Sequence, residues 1–276
     1  MEQVLKTMLE NVRAKSPLVH NITNYVTVND VANVLLAAGG SPIMSDDADD
    51  VEDITSICGG LNINIGTLNK NTIPSMFLAG KKANALGHIV LLDPVGAGAS
   101  RLRTDTANRL MQEVRFDAVR GNISEIKTLC TGSGSTKGVD ADAVDAVTEA
   151  NLDNGVQLVK TFAAQTGCII AVTGAIDLVS DGARCWCIRN GRAEMSRITG
   201  TGCQLSALMT AFLVANPDRK LDAAAAAVCM MGLAGEIGWA NMQPGDGNSP
   251  YRNRIIDAIF NMTGDALEEG AKYELR

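Results

Sequence analysis

Apolar positions recur along the first half of the chain at alternating helical and strand spacing. Leu5, Met8, Leu9 and Val12 fall on one helical face, and Ser16-Pro17 ends that segment. Val28, Val31, Leu35 and Ala38 make a second face, opened by Thr27-Val-Asn-Asp30 in the manner of a capping box and stopped by Gly39-Gly40. Ser41 to Met44 reads as a short strand, and Val51, Ile54, Thr55 and Cys58 as a helix face. Leu61-Asn-Ile-Asn-Ile65 alternates as a strand does, and residues 71 to 86 read as helical in spite of Pro74 and Gly80. His88 to Leu92 and Cys168 to Thr173 are continuous apolar runs, as strands covered on both faces should be. Helices are expected over Leu102–Val114, from Ser124 to Leu129, and around Val156, Val159, Phe162 and Ala163, with a strand ending near Ala118-Val119.

The pattern changes after residue 173. Ile176–Ser180 and Arg184–Ile188 read as a hairpin joined by Asp181-Gly182-Ala183, and beyond Gly202 the chain reads as helical almost to its end. Strand-helix alternation predicts an α/β fold with a mostly parallel central sheet, helices on both faces and a helical C-terminal region. Neither a fixed-period repeat nor a linker breaks the sequence, so residues 1–276 are expected to form a single domain. The one soft segment is Thr131 to Gly138, a Gly/Ser-rich loop by composition.

Charge narrows the function. With 24 Lys and Arg against 31 Asp and Glu, the net charge is −7, which argues against nucleic acid or anionic lipid as a bulk partner. The most apolar stretch, Ala223 to Gly235, is shorter than the ~20 residues of a membrane span. Residues 1–15 carry charges throughout and no apolar core, so no secretory signal is expected there. Seven cysteines, an odd number without a CxxC pair, and only two histidines suit reduced thiols in the cytoplasm better than disulfides or zinc. The acidic run Asp46-Asp47-Ala48-Asp49-Asp50 reads as a solvated helix entrance.

Three local patterns carry candidate chemistry. In Ile198-Thr-Gly-Thr-Gly-Cys203 a β-like stretch turns at Gly200 and Gly202 into a long apolar helix. A helix N-terminus opened by small residues exposes backbone N–H groups to an anion, and would lower the pKa of the Cys203 thiol; a tight turn with a buried thiol has the same sequence. Asp93-Pro-Val-Gly-Ala-Gly98 puts a carboxylate at the carboxyl end of a buried strand, where open α/β sheets bind ligands and where it would hold Mg²⁺ through water. Arg120-Gly-Asn-Ile-Ser-Glu125 sets Asn122 and Glu125 on one helical face beside an arginine suited to phosphate, although Asn122 also fits a plain helix cap. A cation, a phosphate clamp and an anion cradle are the parts of phosphoryl transfer.

These segments, with His20-Asn-Ile-Thr-Asn-Tyr-Val26 and Gly39-Gly-Ser-Pro-Ile-Met44, resemble the ribokinase-like superfamily of small-molecule kinases, and within it the hydroxyethylthiazole kinases. The likeness runs from about Leu5 to the C-terminal helices. It implies ATP-dependent phosphorylation of the hydroxyl of 4-methyl-5-(2-hydroxyethyl)thiazole, with Mg²⁺, in thiamine biosynthesis or salvage. By that resemblance Cys203 is the catalytic residue, Arg120 and Thr173 bind ATP, and Met44, Gly200, Asn24 and Val26 contact the thiazole. Asp93, Glu125 and Asn122 are the metal and water residues. His20, taken by itself, reads as orienting backbone rather than performing catalysis. It also implies a homotrimer with sites shared between neighbouring subunits. Other readings are a pyrimidine or sugar kinase of the same fold, a nucleotide-repair dehydratase, or a regulator that binds ATP without turnover. The wider superfamily has Asp where Cys203 stands, so a thiol here implies weak base catalysis and a larger share for positioning and charge.

Overall fold

The computed structural model describes residues 3–131 and 146–276. Of the soft segment Thr131–Gly138, all but Thr131 lies outside the described residues. The first half runs α1 (Val4–Lys15), β1 (Leu18–Ile22), α2 (Val28–Ala38), β2 (Ser41–Met44), α3 (Val51–Ile57) and β3 (Gly60–Asn64), then α4 (Thr72–Leu86), β4 (Ile89–Asp93) and α5 (Arg101–Glu113). It continues through β5 (Ala118–Asn122), α6 (Ile123–Thr131), α7 (Leu152–Thr166) and β6 (Ile169–Thr173). The hairpin is β7 (Asp177–Ser180) and β8 (Cys185–Ile188). The remainder is α8 (Thr201–Ala215), α9 (Lys220–Ala240), α10 (Asn248–Asn261), α11 (Gly264–Gly270) and β9 (Tyr273–Leu275).

The strands form one sheet in the order β2-β1-β3-β4-β5-β6-β7-β8-β9. Every pair from β2 to β6 is parallel, and β7, β8 and β9 add antiparallel strands at one edge. Period-2 alternation sorts the strand residues. Leu91, Ala118, Ile169 and Ala171 join a core with α1, α8 and α9. Val90, Leu92, Val119, Ile170 and Val172 join another with α4, α5 and α7. Both faces are therefore covered, as the continuous apolar runs require.

β1 is a strand that the apolar pattern does not mark, because its run is broken by His20 and Asn21, both buried. The region beyond Gly202 is not helical to its end: β9, three half-exposed residues with little hydrophobic signal, is held by backbone pairing to β8. Ala118-Val119 starts β5 rather than ending it, so Arg120 and Asn122 belong to the strand itself. The apolar stretch at Ala223–Gly235 is the middle of α9, which together with the 3-10 turn before it spans Pro217–Ala240 and is long and apolar enough to cross a membrane by length and composition. Its residues Leu221 to Gly235 are buried all round inside the fold, which explains the missing polar face.

Candidate active site

The order β2-β1-β3 reverses direction between β1 and β3. That switch point parts the loops after two neighbouring strands and opens a crevice at their carboxyl ends. A cavity of about 170 Å³ occupies it, lined by Asn21, Thr23, Met44, Asn64, Thr67 and Met76 among others. Its size suits a compact ligand, since drug-sized pockets run to roughly 300–1,000 Å³. A larger open hollow of about 590 Å³ lies at the opposite, amino-terminal edge, around Ile169 and Lys220. It contains none of the candidate residues, and its Lys220 and Arg219 are paired with Asp117 and Asp222.

Beside the crevice, Asp93 ends β4 with no solvent exposure. Its Oδ2 accepts hydrogen bonds from Asn64 Nδ2 and Ser206 Oγ, both at 2.8 Å, and lies 3.7 Å from Arg120 Nη1. Its Oδ1 is buried without a hydrogen-bond partner among the described residues. Burial pushes the Asp93 carboxyl above its ordinary pKa, while Arg120, Ser206 and Asn64 pull it down. Glu125, in the first turn of α6, accepts from Gly96 N at 2.8 Å and from Asn122 N at 2.7 Å, and Asn122 Oδ1 accepts from Glu125 N. The reciprocal bonds explain how Asn122 caps the helix and still sits at the site. Burial, aided by the Asp93 charge, raises the Glu125 pKa to about 7. No group of three or more His, Cys, Asp or Glu side chains able to cage a metal occurs among the described residues.

The anion cradle is the start of α8. Gly200 caps it with φ of +84°, a left-handed conformation, and a Cβ there would stand 2.1 Å from Thr27 Cγ2. Thr27 itself does not cap α2 as expected; its hydroxyl donates to Asn24 Oδ1 instead. The segment before Gly200 is a 3-10 turn over Ala193–Arg197 rather than a strand, because the sheet already ends its hairpin at Ile188. Arg120 lies against the helix start, since a Cβ on Gly202 would be 2.4 Å from its Nη1. Its Nη2 donates to Thr173 Oγ1 at 2.6 Å, and its Nε is buried without a partner among the described residues. A guanidinium with free donors, next to N–H groups at a helix N-terminus, suits phosphate oxygens.

Cys203 sits in the first turn of this helix, 8% exposed. Asn24 Nδ2 donates to its Sγ at 3.2 Å and to Asn64 Oδ1 at 3.1 Å. The expected lowering of the thiol pKa is overturned. Burial and the nearby Asp93 charge push it up, and Arg120, Asn64 and Asn24 only partly offset them. Cys203 is therefore a neutral thiol at neutral pH.

Most of the residues expected at the site meet there. Asn24, Asp93, Arg120, Asn122, Glu125, Thr173, Gly200 and Cys203 surround the cradle, and Met44 lines the cavity. Val26 does not: it is 56% exposed at the tip of the loop after β1, next to Tyr25. His20 is fully buried, its Nε2–H donating to the Ser45 carbonyl while Nδ1 accepts from Thr55, and burial lowers its pKa. Asn64 and Ser206 join the site without belonging to any of the three sequence patterns. The signal for Asn64 was present in Leu61-Asn-Ile-Asn-Ile65, where two amides share one face of a buried strand. Ser206 offered none beyond its place one turn after Cys203.

The model of the hydroxyethylthiazole kinase family matches residues 9–265. The chain is 58% identical over 271 residues to the hydroxyethylthiazole kinase of Clostridium acetobutylicum, covering 98% of this chain and 99% of that one. The structure of the hydroxyethylthiazole kinase protein from Pyrococcus horikoshii superposes with a TM-score of 0.87 at 32% identity, over 99% of this chain and 98% of that one. A Staphylococcus aureus pyridoxal kinase in complex with AMP-PCP and pyridoxal is 14% identical, with a TM-score of 0.59 over 94% and 98%, and shares the fold.

Proposed function

The chain belongs to the hydroxyethylthiazole kinase family, and on that footing we propose that it transfers the γ-phosphoryl group of ATP to the hydroxyl of 4-methyl-5-(2-hydroxyethyl)thiazole in thiamine biosynthesis or salvage. The observation that carries this reading is local. A buried carboxylate with one unpartnered oxygen, an arginine and the N-terminus of α8 converge beside a cavity sized for a small heterocycle.

In this reading the thiazole lies between Met44 and the loops after β1 and β3, with Asn24 and Gly200 at its hydroxyethyl arm. The hydroxyl oxygen attacks the γ-phosphorus, the bond to the ADP oxygen breaks, and the hydroxyl proton passes to an oxygen of the transferred phosphoryl group as the new ester forms. Arg120, Thr173 and the α8 N–H groups take the phosphate charge. Cys203, held neutral by burial, orients the hydroxyl rather than deprotonating it. Positioning and electrostatics then carry most of the rate, as phosphoryl transfer allows.

Mg²⁺ fits the donors present. Asp93 Oδ1 has an open acceptor position, and hard carboxylate and amide oxygens are the ligands Mg²⁺ takes, usually through water and together with phosphate. Asp93, Glu125 and Asn122 would hold it, and it would supply positive charge against the phosphate oxygens. We also read residues 1–276 as one kinase domain, supported by the single continuous sheet. Seven free thiols support a reducing, cytoplasmic setting. Tyr25, exposed at the rim of the cavity, and its exposed neighbour Val26 fit a homotrimer in which a neighbouring subunit completes the thiazole site. Incubation with ATP, Mg²⁺ and hydroxyethylthiazole, with the phosphate ester read by mass, tests the reading; turnover of a different alcohol in place of the thiazole refutes it.

A further inference from the structure

The loops that hold the site are tied together by a residue outside it. Arg103, in the first turn of α5, donates from Nη2 to the Gly66 carbonyl at 2.7 Å and from Nη1 to the Val95 carbonyl at 3.4 Å. Its guanidinium fills the space a side chain would need at Gly96, where a Cβ would lie 2.2 Å from Nη1 and φ is +73°. Both loops act on the site. Gly66 N donates to Asn64 Oδ1, and Asn64 Nδ2 donates to Asp93. On the other side, Gly96 N donates to Glu125 Oε1. The neighbouring Thr67 accepts from Tyr25 N and lines the cavity.

We propose that Arg103 is a positioning residue for phosphoryl transfer, a two-pronged brace that fixes the loop after β3 against the loop after β4 and so sets Asn64, Asp93 and Glu125 at their working separation. The inference rests on the kinase reading but not on which alcohol is the acceptor. Arg103 binds backbone carbonyls on two separate loops, a pairing that the rigid fork of a planar guanidinium holds at a fixed separation and that a compact ammonium on a flexible stem does not. Its effect on the reaction is transmitted through Asn64 and Glu125. Misplacement of catalytic groups by about 1 Å is enough to cost on the order of 100-fold in rate.

Arg103→Ala and Arg103→Lys, each checked for folding by near-UV circular dichroism, test the proposal on the alcohol that the wild-type protein phosphorylates. The expected result for Arg103→Ala is a kcat reduced by about tenfold or more, with the KM values for ATP and alcohol changed less than about threefold, because the lost geometry matters at the transition state. Millimolar methylguanidinium restores part of that kcat, and Arg103→Lys stays below wild type. An unchanged kcat in folded Arg103→Ala overturns the proposal, as does a loss confined to the KM for ATP, which would make Arg103 a nucleotide ligand. If Arg103→Ala does not fold, Arg103→Lys carries the test: reduced kcat supports the brace, and wild-type kcat refutes it. Wild-type failure to phosphorylate the thiazole while turning over another alcohol would count against the substrate assignment alone.

Discussion

Asn64 donates its side-chain amide to Asp93 at 2.8 Å while its side-chain oxygen accepts from Asn24, whose amide also reaches the Cys203 sulfur. Two buried amides thus link the Asp93 carboxylate with the Cys203 thiol. The two residues are register partners on neighbouring parallel strands, so the contact is set by sheet pairing rather than by a loop.

Replacing Asn64 with Leu removes that link and leaves Asp93 with Ser206 as its neutral donor. A buried carboxylate deprived of a donor costs about 1–3 kcal/mol. Asn64→Leu is expected to lower unfolding free energy by that amount in urea titration and to reduce kcat by tenfold or more, since activity depends on the same geometry. Wild-type kcat in this variant would show that the link is structural only.

Glu125 makes stability depend on pH in an unusual direction. Its pKa rises from 4.5 to about 7 on folding, so the native state binds its proton more tightly than the unfolded chain does. Stability from this group is full below about pH 4.5 and is lost as pH rises through 7. The upper limit is about 3 kcal/mol, at 1.36 kcal/mol per pKa unit. In EDTA-treated protein, wild type should therefore lose stability relative to Glu125→Gln between pH 5 and pH 7.5. Urea-unfolding curves at the two pH values measure it, and parallel behaviour of the two proteins contradicts the assignment.

Much of this site could be read in the sequence. Asp93, Arg120, Asn122 and Glu125 were recognisable because glycines and a proline mark strand ends, and strand ends are where an α/β sheet binds ligands. Gly200 and Cys203 were recognisable as a helix entrance. The network behind them was not. β1 hides its strand character behind His20 and Asn21, and without β1 the switch point beside β3 cannot be located. Asn64 and Arg103 act through partners at distant sequence positions, Asp93 for one and Gly66 for the other, which no local pattern encodes. The direction of the thiol pKa is hidden from the sequence for a related reason. The helix N-terminus is visible in the sequence, whereas burial and the Asp93 charge come from tertiary packing.

Because the Cys203 thiol is neutral, it contributes little as a base, and a group that ionises more readily at the same place should do no worse. Cys203→Asp is expected to keep or raise kcat. It should also lose stability, since a second carboxylate would then be buried near Asp93. Steady-state kinetics with a thermal melt on the same sample read both effects. A folded Cys203→Asp protein whose rate has collapsed would mean that the thiol itself takes part in the chemistry.

A compact, partly apolar cavity lies at the switch point beside the proposed phosphoryl-transfer site. The most direct test of that assignment is a comparison of kcat/KM for hydroxyethylthiazole, pyridoxal and ribose, each with ATP and Mg²⁺ and with the product identified by mass. The cavity and the family predict that hydroxyethylthiazole is preferred by at least about 100-fold, the order of discrimination that a site fitted to one acceptor achieves. A preference for pyridoxal or ribose would contradict the central claim.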